Sequence, residues 1–253
     1  MKIISSRDNL MFKQFKRLAD SARERRKAAR ALLEGSHLLA AYLATGRVPE
    51  QVAVSQGSME NTETRALLAA IPAAHLVELS SSLFAELTPT GILAVIEIPH
   101  IKPVAKPDFC LLLEDVQDPG NLGAILRSAA AAGVHVVYLS THCVDVWSPK
   151  VLRGGMGAHF VLAIEERVNL PEKAAAFAGL TVATSLNATQ SLYDLDLTGP
   201  IAFIVGNEGA GMTAALLAAA GVQVRIPMPG KVESLNAAAA ASICLFERVR
   251  QKL

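Results

Sequence analysis

Phe109-Cys110-Leu111-Leu112-Leu113-Glu114-Asp115, followed by Asp118-Pro119-Gly120-Asn121-Leu122-Gly123-Ala124-Ile125-Leu126-Arg127, reads as one strand-turn-helix unit. Five consecutive apolar residues ending in acid mark a strand buried on both faces, the signature of a parallel sheet. Pro119 stiffens the turn, Gly120 permits it, and Asn121 is placed to cap a helix that runs to Ala132. Gly123, Arg127 and Ala131 are four apart and share a face. Two small residues around one guanidinium leave room for a ligand, although a surface arginine on an ordinary unit gives the same pattern.

The unit recurs along the chain. Further strands are expected at 134–139, 161–164, 181–184, 201–205 and 223–226, with helices over 171–178, 212–220 and 236–250. That alternation predicts an α/β fold: a mostly parallel sheet with helices on both faces. Such sheets place their sites outside the carboxyl ends of the strands. Upstream lies a smaller α/β region. A basic helix is expected over 7–30, a strand and turn over 32–35, and a helix over 37–43. Strands follow at 52–54, 74–78 and 91–96, and helices at 62–68 and 81–87. Pro99, Pro103 and Pro107 break both helix and ladder. The expected division is therefore 1–97, a linker over 98–108, and 109–253.

Half of the 253 residues are apolar, which predicts a real core and excludes a disordered chain. The formal net charge is only +1, yet residues 1–35 hold ten Lys or Arg against four Asp or Glu. One basic surface on an otherwise neutral protein fits that distribution. Cys110, Cys143 and Cys244 lie far apart without CxxC spacing, so neither a disulfide framework nor a metal site is expected. No apolar run is long enough to span a membrane, and a signal peptide is not apparent. A cytoplasmic protein without membrane contact is the expectation.

Three further stretches carry polar or glycine-rich turns. Ser148-Pro149-Lys150-Val151-Leu152-Arg153-Gly154-Gly155-Met156-Gly157 sets two cations before a glycine cluster. Lys150 and Arg153 suit phosphate, or the stretch is a flexible loop with a solvated charged edge. Gly206-Asn207-Glu208-Gly209-Ala210-Gly211 follows a strand directly, lacks the Gly-Lys-Ser/Thr end of a P-loop, and offers backbone N–H groups to a ligand. Glu208 is its lone carboxylate, with helix capping as the plain alternative. Ile226-Pro227-Met228-Pro229-Gly230 precedes Ser234-Leu235-Asn236, which opens a helix beginning with five alanines. Ser234 and Asn236 can satisfy that helix start, and the alanines let it pack closely. The GxGxxG dinucleotide fingerprint is absent.

Asp118 to Arg127, Gly206 to Gly211 and Ile226 to Asn236 together resemble the three motifs of the SpoU-type, TrmH-like RNA ribose 2′-O-methyltransferases. The similarity spans roughly residues 109–250. Gly154-Gly155 stands where an Ala-Ser pair is more usual, and Asp118 where Asn is often seen. Ser5-Ser6, Asn9, Lys13, Glu34-Gly35 and Gly91-Ile92 give the first 97 residues a weaker similarity to an L30e-like RNA-binding domain.

The resemblance implies a SPOUT-type fold with a C-terminal trefoil knot, S-adenosylmethionine as cofactor, a homodimer, no metal, and rRNA or tRNA as substrate. It implies that Thr184, Ser185, Leu186, Gly206, Asn207, Gly211, Ile226, Met228 and Leu235 hold the cofactor. Arg127 becomes the candidate catalytic residue, with Asn121 orienting it or the ribose, Glu208 compensating its charge, and Ser234 and Asn236 binding the ribose or the loop that shapes the pocket. Arg7, Lys13, Lys16, Arg17, Arg23, Arg25, Arg26, Lys27 and Arg30, with Lys150 and Arg153, become candidates for RNA backbone contact. A solvated helix face is the alternative for the basic N-terminal set. A non-catalytic RNA-binding protein, a nucleotide enzyme and a purely structural protein are the rival classes. The expected target is a 23S rRNA guanosine, with a tRNA ribose as the alternative.

Overall fold

A computed structural model describes residues 2–253. The first ten elements are β1 (Lys2–Ile4), α1 (Leu10–Asp20), α2 (Ala22–Ala28), β2 (Arg30–Glu34), α3 (Ser36–Leu43), β3 (Gln51–Ser55), α4 (Thr62–Leu68), β4 (Leu76–Leu79), α5 (Ser81–Ala85) and β5 (Ile92–Glu97). After them come β6 (Phe109–Leu113), α6 (Pro119–Ala132), β7 (Val136–Leu139), α7 (Pro149–Gly155), β8 (Ala163–Glu165), α8 (Leu170–Ala176), β9 (Leu180–Thr184), β10 (Ile201–Val205), α9 (Ala214–Ala219), β11 (Val222–Val224) and α10 (Ala237–Lys252). The chain forms two compact units. One holds the residues through Pro99 together with Trp147–Phe160, the other His100–Val146 with Val161–Leu253.

The first unit is built on a mixed sheet in the order β1-β4-β3-β5-β2. Phe12, Phe15 and Leu18 recur on one face of α1 and seal Leu32, Leu79, Leu93 and Val95 from water. The single basic helix expected over 7–30 is in fact two. Ser21 ends α1 in extended backbone and caps α2, its hydroxyl accepting from Glu24 N at 3.3 Å. β1 was not expected; its three residues pair in parallel with β4, a partner far away in sequence.

The stretch expected to be a flexible loop or a phosphate site is also helical. Ser148 caps α7 through Val151 N and Pro149 occupies its first turn. α7 packs with β2, and Phe160 meets Tyr42 edge-on with centroids 5.3 Å apart. Residues 147–160 thus lie within the second half of the sequence but pack in the first unit.

The second unit has one sheet, parallel throughout, in the order β11-β9-β10-β6-β7-β8. β6 and β10 are central and every residue of both is buried, which accounts for their unbroken apolar runs. The chain goes outward from β6 through β7 to β8, returns to β9 on the other side, and then inserts β10 between β9 and β6. α10 packs along α6 and on β10. Ala241 is fully buried there, and Ser242 and Ser128 hydroxyls meet at 2.7 Å across the helix pair.

Candidate active site

Three loops at the carboxyl ends of neighbouring strands surround a cleft of about 420 Å³: residues 184–187 after β9, 205–212 after β10, and 224–228 after β11. Residues 234–240, at the start of α10, close the remaining wall. Every residue expected to hold a cofactor lines this cleft: Thr184, Ser185, Leu186, Gly206, Asn207, Gly211, Ile226, Met228 and Leu235. Met212, Leu217 and Val224 add apolar lining, and the sequence reading placed them only within an expected helix and strand. Asn187, Gly209, Ala210 and Ala240 also line it and were not singled out.

The loop after β10 is stiffer than its glycines suggest. Asn207 N and Gly211 N each donate to the other residue's carbonyl at 3.0 Å. The Asn207 side-chain oxygen accepts from Gly209 N and Ala210 N, both at 2.8 Å. Four of the N–H groups expected to face a ligand, those of Asn207, Gly209, Ala210 and Gly211, are therefore spent inside the loop. Gly206 is needed for a different reason than ligand approach. A Cβ there would stand 2.6 Å from Gly211 O and 2.6 Å from Met212 Cγ. The far end of the loop is fixed by Glu114, a buried carboxylate that accepts from Thr213 N at 2.7 Å and Thr213 Oγ1 at 2.8 Å.

The candidate catalytic residues divide into two groups. Asn236 Nδ2 donates to Asn121 Oδ1 at 2.8 Å, and Asn121 Nδ2 donates to Glu208 Oε1 at 2.7 Å. Residues far apart in sequence thus form one chain of hydrogen bonds from α10 through α6 to the cleft loop. Glu208 and Ser234 line the cleft itself. The cap of α6 is Asp118, which accepts from Asn121 N at 2.8 Å; Asn121 is thereby left free to build this network. Asn236 caps α10, accepting from Ala238 N at 2.9 Å.

Arg127 is exposed and makes no hydrogen bond or ion pair among the described residues. It does not line the cleft. The expectation that Asn121 orients Arg127 is corrected: both ends of that amide are occupied by Glu208 and Asn236. Six residues along a helix amount to about 9 Å of rise and a turn of roughly 240°, so the two side chains leave different faces.

Thiol chemistry has no support here. Burial pushes the Cys110 and Cys244 thiols up to about 12, and raises Cys143 as well. Among the described residues no group of three or more His, Cys, Asp or Glu is placed to hold a metal ion. No helix among them is long and apolar enough to cross a membrane.

The basic residues of the first unit are not one uniform patch. Arg7 is paired with Glu86 at 2.6 Å, Lys13 with Asp8 at 2.8 Å, Lys16 with Asp20 at 3.3 Å, and Arg30 with Glu50 at 2.6 Å. Arg25 is corrected outright. It is 4% exposed, and its guanidinium donates to the Leu18 and Ala19 carbonyls at the end of α1. Arg153 is paired with the buried carboxylate of Glu34 instead of standing free for phosphate. Among the described residues, Arg17, Arg23, Arg26 and Lys27 are exposed and outside ion pairs, Arg17 in the last turn of α1 and the other three along α2. Arg17 and Lys27 face a second, shallow cleft of about 260 Å³ with Gln14 and Glu24. Lys150 is exposed on α7.

Fold and site together define an α/β protein with a parallel sheet and a cleft over its strand ends, lined by loop residues and a single carboxylate, Glu208. Residues 108–246 match the SpoU rRNA Methylase family, and the chain belongs to that family. It is 34% identical to the Bacillus subtilis 23S rRNA (guanosine(2553)-2′-O)-methyltransferase RlmP, over 97% of this chain and 98% of that one. It is 30% identical to the Streptomyces viridochromogenes 23S rRNA (uridine(2479)-2′-O)-methyltransferase, over 99% of this chain and 92% of the other. The crystal structure of the SpoU methyltransferase AviRb from that organism, in complex with AdoMet, superposes with a TM-score of 0.84. That match has 28% identity and covers 96% of this chain and 99% of the other.

Proposed function

We propose that this protein transfers a methyl group from S-adenosylmethionine to a ribose 2′-OH of RNA, with a guanosine of 23S rRNA as the target. The observation that carries the reading is the chemistry of the cleft wall. Glu208 is its one ionisable residue, and no Lys or Arg lines it. A nucleotide cofactor would bring its phosphates to a carboxylate with no cation to receive them. A sulfonium ligand brings a positive charge, which a carboxylate favours. The volume and the apolar side chains of Leu186, Ile226, Met228 and Leu235 fit a compact adenosyl ligand.

When bound, S-adenosylmethionine supplies an already activated methyl group, so the protein's task is alignment. The methyl–sulfur bond breaks, the methyl–oxygen bond forms, and the hydroxyl proton is lost to solvent. Asn121 holds the Glu208 carboxylate at the cleft edge and ties it to the start of α10. A guanidinium offers five N–H donors and no acceptor, which suits Arg127 to an anion rather than to the role of a base. Its proposed role is to bind the phosphate beside the target ribose and to stabilise developing alkoxide charge. It does not line the cleft of its own chain, so the reading includes a homodimer in which one copy's Arg127 serves the other's cleft. Phe246, 45% exposed on α10, is a large apolar side chain that a second copy could cover. The C-terminal trefoil knot belongs to the same reading, supported by the family resemblance.

RNA contact is assigned to the cations of α1 and α2 in the first unit that lack carboxylate partners. The deciding experiment maps 2′-O-methyl marks in total RNA of the source organism with and without this gene. It then incubates the purified protein with the unmodified RNA and labelled donor. One 23S guanosine is expected to lose its mark in the deletion and regain it in vitro. A lost mark in tRNA would move the target, and an unchanged methylation map with no transfer in vitro would overturn the reading.

A further inference from the structure

Asp115 is a non-glycine residue in left-handed backbone, with φ of 53°. That region is uncommon for side-chain-bearing residues, and Asp is among the types that tolerate it. The position is held from outside. Asp115 N donates to Ser140 Oγ at 2.9 Å, and Ser140 Oγ donates to Asp115 Oδ1 at 2.5 Å. Ser140 directly follows β7, so the end of β6 is clasped to the end of its neighbour.

The turn has a consequence on the other side of β6. It aims the Asp115 carbonyl at the loop after β10, where it accepts from Asn207 Nδ2 at 2.8 Å. Asn207 is the residue whose other side-chain atom folds that loop through Gly209 and Ala210. Glu114, the preceding residue, fastens the loop's far end at Thr213. Two consecutive acids thus hold both ends of the segment that lines the cleft, one through its carboxylate and one through its main chain.

We propose that Asp115, braced by Ser140, is a positioning residue for the methyl donor: its left-handed backbone presents a carbonyl that fixes Asn207 and sets the cleft loop before the donor arrives. The proposal rests on the reading of the cleft as the donor site. Neither Asp115 nor Ser140 lines the cleft, so the effect passes entirely through Asn207.

The test measures S-adenosylmethionine affinity by calorimetry and RNA affinity separately, on the full chain. Asp115→Ala favours ordinary backbone and turns the carbonyl away from Asn207. Donor affinity is expected to fall about tenfold, the scale of one lost buried hydrogen bond, with RNA affinity unchanged. Asp115→Gly accepts the left-handed backbone without strain and is expected to bind donor within about threefold of wild type. Donor affinity of Asp115→Ala within twofold of wild type would overturn the proposal. So would a glycine variant as weak as the alanine one, because the carboxylate and not the backbone would then be responsible. Should the alanine variant fail to fold, Asp115→Gly and Asp115→Asn decide: both are expected within about threefold, and a tenfold loss in either counts against the carbonyl. A wild-type chain that takes up no donor would instead overturn the reading of the cleft.

Discussion

Gly206 is the residue at which loop geometry and ligand affinity can be separated. A Cβ there would collide with main-chain atoms of Gly211 as well as with Met212 Cγ. Backbone at that distance must shift, and the shift displaces the wall formed by 206–212. Gly206→Val is therefore expected to weaken S-adenosylmethionine binding by at least about tenfold, read by calorimetry. The melting temperature should fall only modestly, because Met212 is the one residue of 206–212 packed against the hydrophobic core. Retained donor affinity would mean that the loop relaxes without cost. The neighbouring Asn207 carries the same logic: its side chain is consumed by the loop's own amides, so it shapes the cleft instead of offering its polar atoms to the ligand.

Elements were legible where an apolar run ended in an unambiguous breaker. Phe109–Leu113, Ile201–Val205 and Thr62–Leu68 form with the bounds their patterns imply. The α1–α2 break was not legible, because the residues flanking Asp20-Ser21 favour helix on both sides; only the cap geometry of Ser21 reveals the break. α7 carried its start signal in Ser148-Pro149, but Gly154-Gly155 argued for a loop, and tertiary contact with β2 overrode that weak propensity. The division among the basic residues was invisible for a related reason. Carboxylates remote in sequence, at Glu50, Glu86 and Glu34, neutralise three of them. A paired charge contributes little field beyond about a Debye length, so the unpaired cations of α1 and α2 should dominate RNA attraction. Replacing Arg17, Arg23, Arg26 and Lys27 by Ala should weaken RNA binding and flatten the slope of log affinity against log salt by up to about three. Replacing Arg7, Lys13, Lys16 and Arg30 should leave that slope within about half a unit. Equal effects from the two sets would return the whole helix pair to candidacy.

At the scale of the whole molecule, the sequence motifs that announced the cleft also carry a catalytic candidate, Arg127, that does not line it. The cofactor residues converge because each sits at the end of a parallel strand, and strand ends of one sheet share one edge. Arg127 was grouped with them by sequence order, yet helix geometry carries it about 9 Å down α6 and onto another face. A single chain therefore supplies the cleft without the guanidinium, and symmetry offers the repair: in a two-fold dimer each surface that lacks a group can receive it from its mate. Two inactive chains distinguish this arrangement from action within one subunit. Arg127→Ala has an intact cleft and no guanidinium, whereas Gly206→Val has the guanidinium and a spoiled cleft. In a shared-site dimer the mixed species has one working site, formed by the intact cleft of the first chain and Arg127 of the second. Random pairing makes half the dimers mixed, so co-refolded protein should recover about one quarter of wild-type turnover on its RNA. If Arg127 acts on the cleft of its own chain, neither partner can complete a site, and the mixture should stay as inactive as its components.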